Sequence, residues 1–271
     1  MNIIRVDSLQ LPALEPYARL TEAQLRNRLH AAEGLFICES LKVLRVALAA
    51  GVQPLSLLAE ERMLDSQVAP LLDEFGLPDL PVYVGSRPTL AGLTGYELSR
   101  GILCAMRRPQ LPPPDAVLAS ARRVAVLDGV VNSENTGAIF RAAAALGFDA
   151  VLLSRTSCDP LNRRACRVSM GTVFQLPWTY FDHYRQLHDA GFSVVAMALA
   201  DRSLPLDSPA LRGLDRMAVV LGSEGDGLSP AVLDSADFVV RIPMQRGVDS
   251  LNVAAAAAVA FYVLQPTSNK Q

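Results

Sequence analysis

Little in this chain suits metal or redox chemistry. Its four cysteines, Cys38, Cys104, Cys158 and Cys166, include no Cys-x-x-Cys pair, and they read as ordinary reduced thiols. The three histidines are His30, His183 and His188, and none are spaced i, i+4 for a helical metal site, so no metal is expected. Long hydrophobic runs are also missing. The longest extends from Val253 to Leu264 and stops before Pro266, short of the ~20 residues a membrane span needs. The segment from Met1 to Leu20 carries Arg5, Asp7, Glu15 and Arg19 with no continuous apolar stretch, which excludes a secretory signal and leaves a cytoplasmic protein as the expectation. Aromatic residues are 6% of the chain, with no run suited to an aromatic RNA-stacking platform. Charge of one sign is lacking too: the formal net charge is -2, split evenly between the two halves.

What is present is a packed α/β sequence. With 271 residues, 51% hydrophobic and 19% charged, the chain is long enough for one large or two modest domains, at a rough ~150 residues each. Short apolar segments alternate with helical ones throughout, which predicts α/β architecture with largely parallel sheets. The prolines of PQLPPPDAVLASA interrupt the alternation, so an interdomain linker is expected over 109–121 between domains at 1–108 and 122–271. In the first half, Thr21 and Gln24 form a capping box for a helix through Ala32, Leu35 to Glu39 is strand-like, and Ser40 to Ala50 is a helix stopped by Gly51. Leu55–Ala59, Pro81–Val84 and Ile102–Met106 read as strands, and Arg62–Phe75 as a helix. In the second half the strands are Val124–Leu127, Val151–Ser154, Ser193–Leu199, Met217–Leu221 and Phe238–Ile242, with helices over Gly137–Leu146 and Asn252–Leu264.

Three turns follow strands of the second half, and in open α/β sheets ligands bind beyond the carboxyl ends of strands. The first is Asn135-Thr-Gly137-Ala-Ile-Phe-Arg141, where Gly137 permits close backbone approach and helical spacing sets Arg141 one turn further on the same face. A plain helix cap with a surface arginine would look the same. The second, Leu221-Gly-Ser-Glu-Gly-Asp-Gly227-Leu-Ser229, exposes backbone amides around Glu224; it has neither the Gly-Lys-Ser of a Walker loop nor the dinucleotide Gly-x-Gly-x-x-Gly. In the third, Ile242-Pro-Met244 precedes Ser250-Leu251-Asn252, and Ser250 is suited to cap the last helix.

Together and in this order, the three turns resemble the SpoU (TrmH-like) family of SPOUT RNA ribose 2'-O-methyltransferases. The residues carrying the resemblance are NTGAIFR, LGSEGDGLS and IPMQRGVDSLNVA, supported by Arg167-Val-Ser169-Met-Gly171 and Phe174-Gln-Leu-Pro177. The chain departs from the family at Asn132 and Ser133, where many members have Asp-Pro. Glu33-Gly-Leu-Phe-Ile-Cys-Glu39-Ser resembles the opening of a ribosomal-protein-L30-like RNA-binding domain. The resemblance implies a parallel sheet with a C-terminal trefoil knot, S-adenosylmethionine bound in that knot, and a homodimer. It implies a cofactor site of Leu221, Gly222, Glu224, Ile242, Met244 and Leu251, and a catalytic set of Arg141, Asn135, Glu224, Ser250 and Asn252.

Ribose methylation is an in-line displacement that needs no metal; alignment is worth ~7 to 11 kcal/mol at best and proton handling ~10²- to 10⁴-fold. Guanidinium groups hold their proton in proteins, so Arg141 is read as a clamp on an RNA phosphate that also favours the developing alkoxide. Basic residues cluster at Arg19, Arg26, Arg28 and His30, at Arg107 and Arg108, and at Arg155, Arg163, Arg164 and Arg167; each cluster is a candidate phosphate contact or simply a solvated face. Ribosomal RNA is the expected substrate, with transfer RNA the alternative. The rival readings are a catalytically silent RNA-binding module and, without a proper dinucleotide fingerprint, a nucleotide-dependent oxidoreductase.

Overall fold

The structure, a computed structural model, describes residues 1–6, 11–18, 20–27, 30, 33–94 and 101–266. Its backbone contacts group into two compact units, Met1–Gln110 with Leu161–Phe174, and Leu111–Pro160 with Gln175–Gln271.

Within the described residues the first unit is a five-stranded sheet of β1 (Asn2–Arg5), β2 (Leu35–Glu39), β3 (Pro54–Glu60), β4 (Pro81–Gly85) and β5 (Ile102–Arg107), ordered β1-β4-β3-β5-β2. β1, β4 and β3 are parallel, whereas β5 is antiparallel to both β3 and β2. This sheet is therefore mixed, because alternation of strands and helices fixes pairing direction only weakly. Its helices are α1 (Glu15–Ala18), α2 (Glu22–Arg26), α3 (Leu41–Ala49), α4 (Ala69–Glu74) and α5 (Arg87–Thr94).

The expected capping box on α2 is present, with Thr21 and Gln24 bonding reciprocally. The helix ends early, at Arg26, because Asn27 takes a left-handed φ of 43° and closes it. Arg19, Arg28 and Ala32 lie outside the described residues. The single helix expected over Arg62–Phe75 is broken into a 3-10 turn, a π turn over Leu64–Val68, and α4. Pro70 explains this, since it has no N–H to donate to the preceding turn and its ring crowds that turn's carbonyl.

The second unit opens with α6 (Pro114–Ser120), inside the stretch read as a linker. Pro114 starts the helix, and Val117 and Leu118 are buried in the core. Next come β6 (Arg123–Leu127), α7 (Ser133–Ala145) and β7 (Ala150–Leu153). The chain then contributes α8 (Arg163–Ser169) to the first unit: Arg167 Nη1 donates to buried Glu39 at 3.2 Å, and Phe174 packs on Phe36 with ring centroids 5.7 Å apart. It returns through β8 (Trp178–Tyr180), α9 (Arg185–Asp189), β9 (Ser193–Met197), β10 (Leu204–Pro205), β11 (Met217–Leu221), α10 (Pro230–Ser235), β12 (Phe238–Arg241) and α11 (Val253–Leu264).

The seven described strands of this unit pair in parallel throughout, in the order β10-β12-β9-β11-β6-β7-β8. Val124, Val126, Val194, Ala196, Ala218 and Val220 bury their side chains in one core, as expected for a sheet covered on both faces. From β6 the chain runs outward to β7 and β8, and all later strands lie on the other side of β6. The β6/β11 boundary is thus a topological switch point, where ligands bind beyond the strand ends. Among the described residues no helix is long and apolar enough to cross a membrane.

Candidate active site

Two loops meet at that switch point. The β6–α7 loop is held by hydroxyls: Gly129 N donates to Ser154 Oγ at 2.9 Å, and Val130 N donates to Ser157 Oγ at 3.2 Å. Its first residue, Asp128, accepts a 2.7 Å hydrogen bond from the Tyr184 hydroxyl. Burial, and then this bond to the carboxylate, push the Tyr184 phenol above its ordinary range. Asn132 ends the loop by capping α7, accepting from Glu134 N at 2.8 Å and Asn135 N at 3.2 Å. Asparagine here does the capping itself, so α7 begins at Ser133, a turn earlier than the expected Gly137.

The β11–α10 loop folds back on itself, with Ser223 N donating to Gly227 O at 3.2 Å. A Cβ on Gly222 would lie 2.6 Å from Gly227 C and 2.8 Å from Leu228 N, so only glycine fits this approach of two backbones. Beneath it opens a cleft of about 500 Å³, an ordinary size for a small-molecule site. Leu221, Gly222, Glu224, Ile242, Met244 and Leu251 all line it, as do Ser250 and Asn252. The structure thus brings those eight residues to one cleft.

Asn135 connects the elements. Its Nδ2 donates to Glu224 Oε1 at 2.8 Å, and its Oδ1 accepts from Asn252 Nδ2 at 3.0 Å. Segments 89 and 117 positions away are thereby joined by one amide at the rim of the cleft. Asn252 has a second duty: its Oδ1 accepts from Ala254 N at 2.9 Å and Ala255 N at 3.3 Å, so it, and not Ser250, is the N-cap of α11. The cap falls at Asn252 because the helix starts only at Val253.

Arg141 is exposed on α7 and is not among the residues lining the cleft; its guanidinium makes no hydrogen bond or ion pair among the described residues. The basic cluster expected to meet phosphate is partly engaged elsewhere. Arg155 pairs with Asp182 at 2.9 Å, while Arg163 and Arg167 pair with Glu39. Sequence reasoning missed Asp128, Tyr184, Ser154 and Ser157 as supports of the β6–α7 loop, and Arg241 and Asp249 as lining residues. Ser154 directly follows β7 and Ser157 lies three residues further on, and both signal their role weakly; nothing local marks Tyr184.

Comparisons with known proteins bear on the family and on the fold. The profile of the SpoU rRNA methylase family matches residues 122–262. An uncharacterized tRNA/rRNA methyltransferase of Mycobacterium bovis is 40% identical over 256 residues, covering 93% of this chain and 88% of that protein. The 23S rRNA (guanosine(2553)-2'-O)-methyltransferase RlmP of Bacillus subtilis is 30% identical over 188 residues, covering 64% of this chain and 73% of its own. The AdoMet-bound rRNA methyltransferase of Sinorhizobium meliloti superposes with a TM-score of 0.79 at 22% identity over 97% of both chains, a likeness of fold.

Proposed function

This chain belongs to the SpoU rRNA methylase family, and from that premise we propose that it methylates a ribose 2'-hydroxyl of structured RNA using S-adenosylmethionine. The observation that carries the reading is the Glu224–Asn135–Asn252 hydrogen-bonded chain, which draws the three turns to one cleft at the switch point of the parallel sheet. The name of the Bacillus relative supports the ribose oxygen as acceptor.

The lining fits the cofactor. Leu221, Ile242, Met244 and Leu251 offer apolar walls for an adenine, and the cradle at Gly222 brings backbone within reach of it. When bound, S-adenosylmethionine supplies an electrophilic sulfonium methyl. Asn135 holds Glu224 and Asn252 in place, and Ser250 and Asn252 are polar groups of the lining that would face the bound cofactor. Arg141, exposed and unpaired among the described residues, holds an RNA phosphate and favours the developing alkoxide, while the proton leaves to a phosphate oxygen or water. Among the described residues no cluster of three or more His, Cys, Asp or Glu could hold a metal, and the reading requires none.

Three finer features belong to the same proposal. α11 follows β12 yet packs against α7, which follows β6, so the last segment returns past the ends of β9 and β11; this supports the trefoil knot. Val259, Tyr262 and Val263 of α11 are exposed, an apolar face that a second copy of the chain would cover in a homodimer. The first domain, read as L30-like, and the name of the Bacillus relative favour ribosomal over transfer RNA.

The test supplies labelled S-adenosylmethionine with purified ribosomal and transfer RNAs, then maps positions that resist alkaline cleavage. Label on a ribosomal ribose is expected. Label confined to bases or to protein overturns the ribose assignment, and label on transfer RNA alone overturns the substrate choice.

A further inference from the structure

The cleft holds a charge pattern that the reaction itself does not require. Of its lining residues one is cationic, Arg241, and two are carboxylates, Glu224 and Asp249. Glu224 is committed through Oε1 to Asn135. The side chains of Arg241 and Asp249 make no hydrogen bond or ion pair among the described residues. Arg241 is nonetheless firmly based: it is the last residue of β12, registered opposite Pro205, and its carbonyl accepts Leu206 N at 2.9 Å.

An arginine here is a puzzle for a cofactor of net positive charge. S-Adenosylmethionine carries a sulfonium and an ammonium against a single carboxylate, so that carboxylate is the one charged group of the ligand that a guanidinium in the cleft attracts. Two acids and one base in the lining match two cationic groups and one anionic group in the ligand. We propose that Arg241 and Asp249 form the subsite for the amino-acid end of the cofactor, Arg241 taking its carboxylate and Asp249 its ammonium. This rests on the reading of the cleft as an S-adenosylmethionine site. It divides binding between an apolar part that holds the nucleoside and a charged pair that orients the sulfonium by anchoring the far end of its chain.

Two probes separate the parts. S-Adenosylhomocysteine carries both end charges, and 5'-methylthioadenosine carries neither. By calorimetry at low salt, Arg241→Gln and Asp249→Asn should each weaken S-adenosylhomocysteine by about 10-fold, the scale of one charge-assisted hydrogen bond, and leave 5'-methylthioadenosine within about twofold. Retained binding of the neutral probe also shows that each variant is folded. Arg241→Lys should recover part of the loss, keeping the charge without the fork.

Equal weakening of both probes, or of neither, overturns the subsite while leaving the cofactor reading intact. Loss confined to RNA affinity in Arg241→Gln assigns that side chain to phosphate and likewise overturns the subsite. Wild-type protein that binds neither probe removes the cofactor reading itself, and the subsite with it.

Discussion

Asn135 spends both ends of one amide, donating to Glu224 and accepting from Asn252, so no other side chain of its size reproduces it. Asn135→Asp loses the donor and sets a second carboxylate beside Glu224. Single-turnover methylation should fall at least ~100-fold, with cofactor affinity far less affected; equal losses in both would demote Asn135 to a cofactor contact. At Gly222 an added methyl meets backbone on the opposite side of its own loop. Gly222→Ala should cost about 1 to 3 kcal/mol of stability, read by urea unfolding, together with most of the cofactor affinity. Tyr184 adds a pH dependence. Its folded pKa is raised by burial and by Asp128, so its contribution is complete below the unfolded value of about 10 and is lost as pH rises through the higher folded value. Tyr184→Phe should therefore lessen the fall of stability in alkali, and a fall as steep as that of wild type would contradict the assignment.

Capping decides where the elements begin, and here it also couples α11 to α7. Asn132 starts α7 and thereby sets the direction of Asn135; Asn252 starts α11 while donating to Asn135. The two duties of Asn252 can be separated. Asn252→Asp keeps the cap acceptor and removes the donor, whereas Asn252→Ala removes both. Only the alanine variant should lose the ~0.5 to 2 kcal/mol typical of a helix cap, and both should slow methylation; a normal rate in Asn252→Asp would confine the residue to capping. Legibility at this scale followed the strength of the local signal. The capping box at Thr21 and the strand Leu35–Glu39 appear in the structure as read, because their information lies within a few residues. Trp178–Tyr180 is too short to show a period, and the stretch read as a linker holds α6 because Val117 and Leu118 find a core that only the folded chain provides.

For the whole molecule, the two proposed contacts have distinct solution signatures. Val259→Glu or Tyr262→Asp on the exposed face of α11 should convert a dimer to monomer in analytical ultracentrifugation; a wild type already monomeric at micromolar concentration would refute the homodimer. RNA affinity should fall steeply with salt as phosphate contacts release counterions. Arg141→Ala should shallow that slope and reduce turnover, while Arg141→Lys keeps more of the slope than of the rate. Several arginines of the sequence clusters already face acids, Arg163 and Arg167 on Glu39 and Arg155 on Asp182, so net charge and clustering alone overstate the surface free for RNA.

Residue spacing alone was enough to establish an α/β chain whose strands give way to glycine- and amide-bearing turns, because strand, cap and turn preferences act over a few bonds. The resemblance in those turns identified the family. Strand order, the antiparallel β5, the passage of α8 into the first unit, and the meeting of Asn135 with Glu224 and Asn252 depended on the folded chain. Those contacts join distant segments, and their energies exist only once a core has brought the segments together.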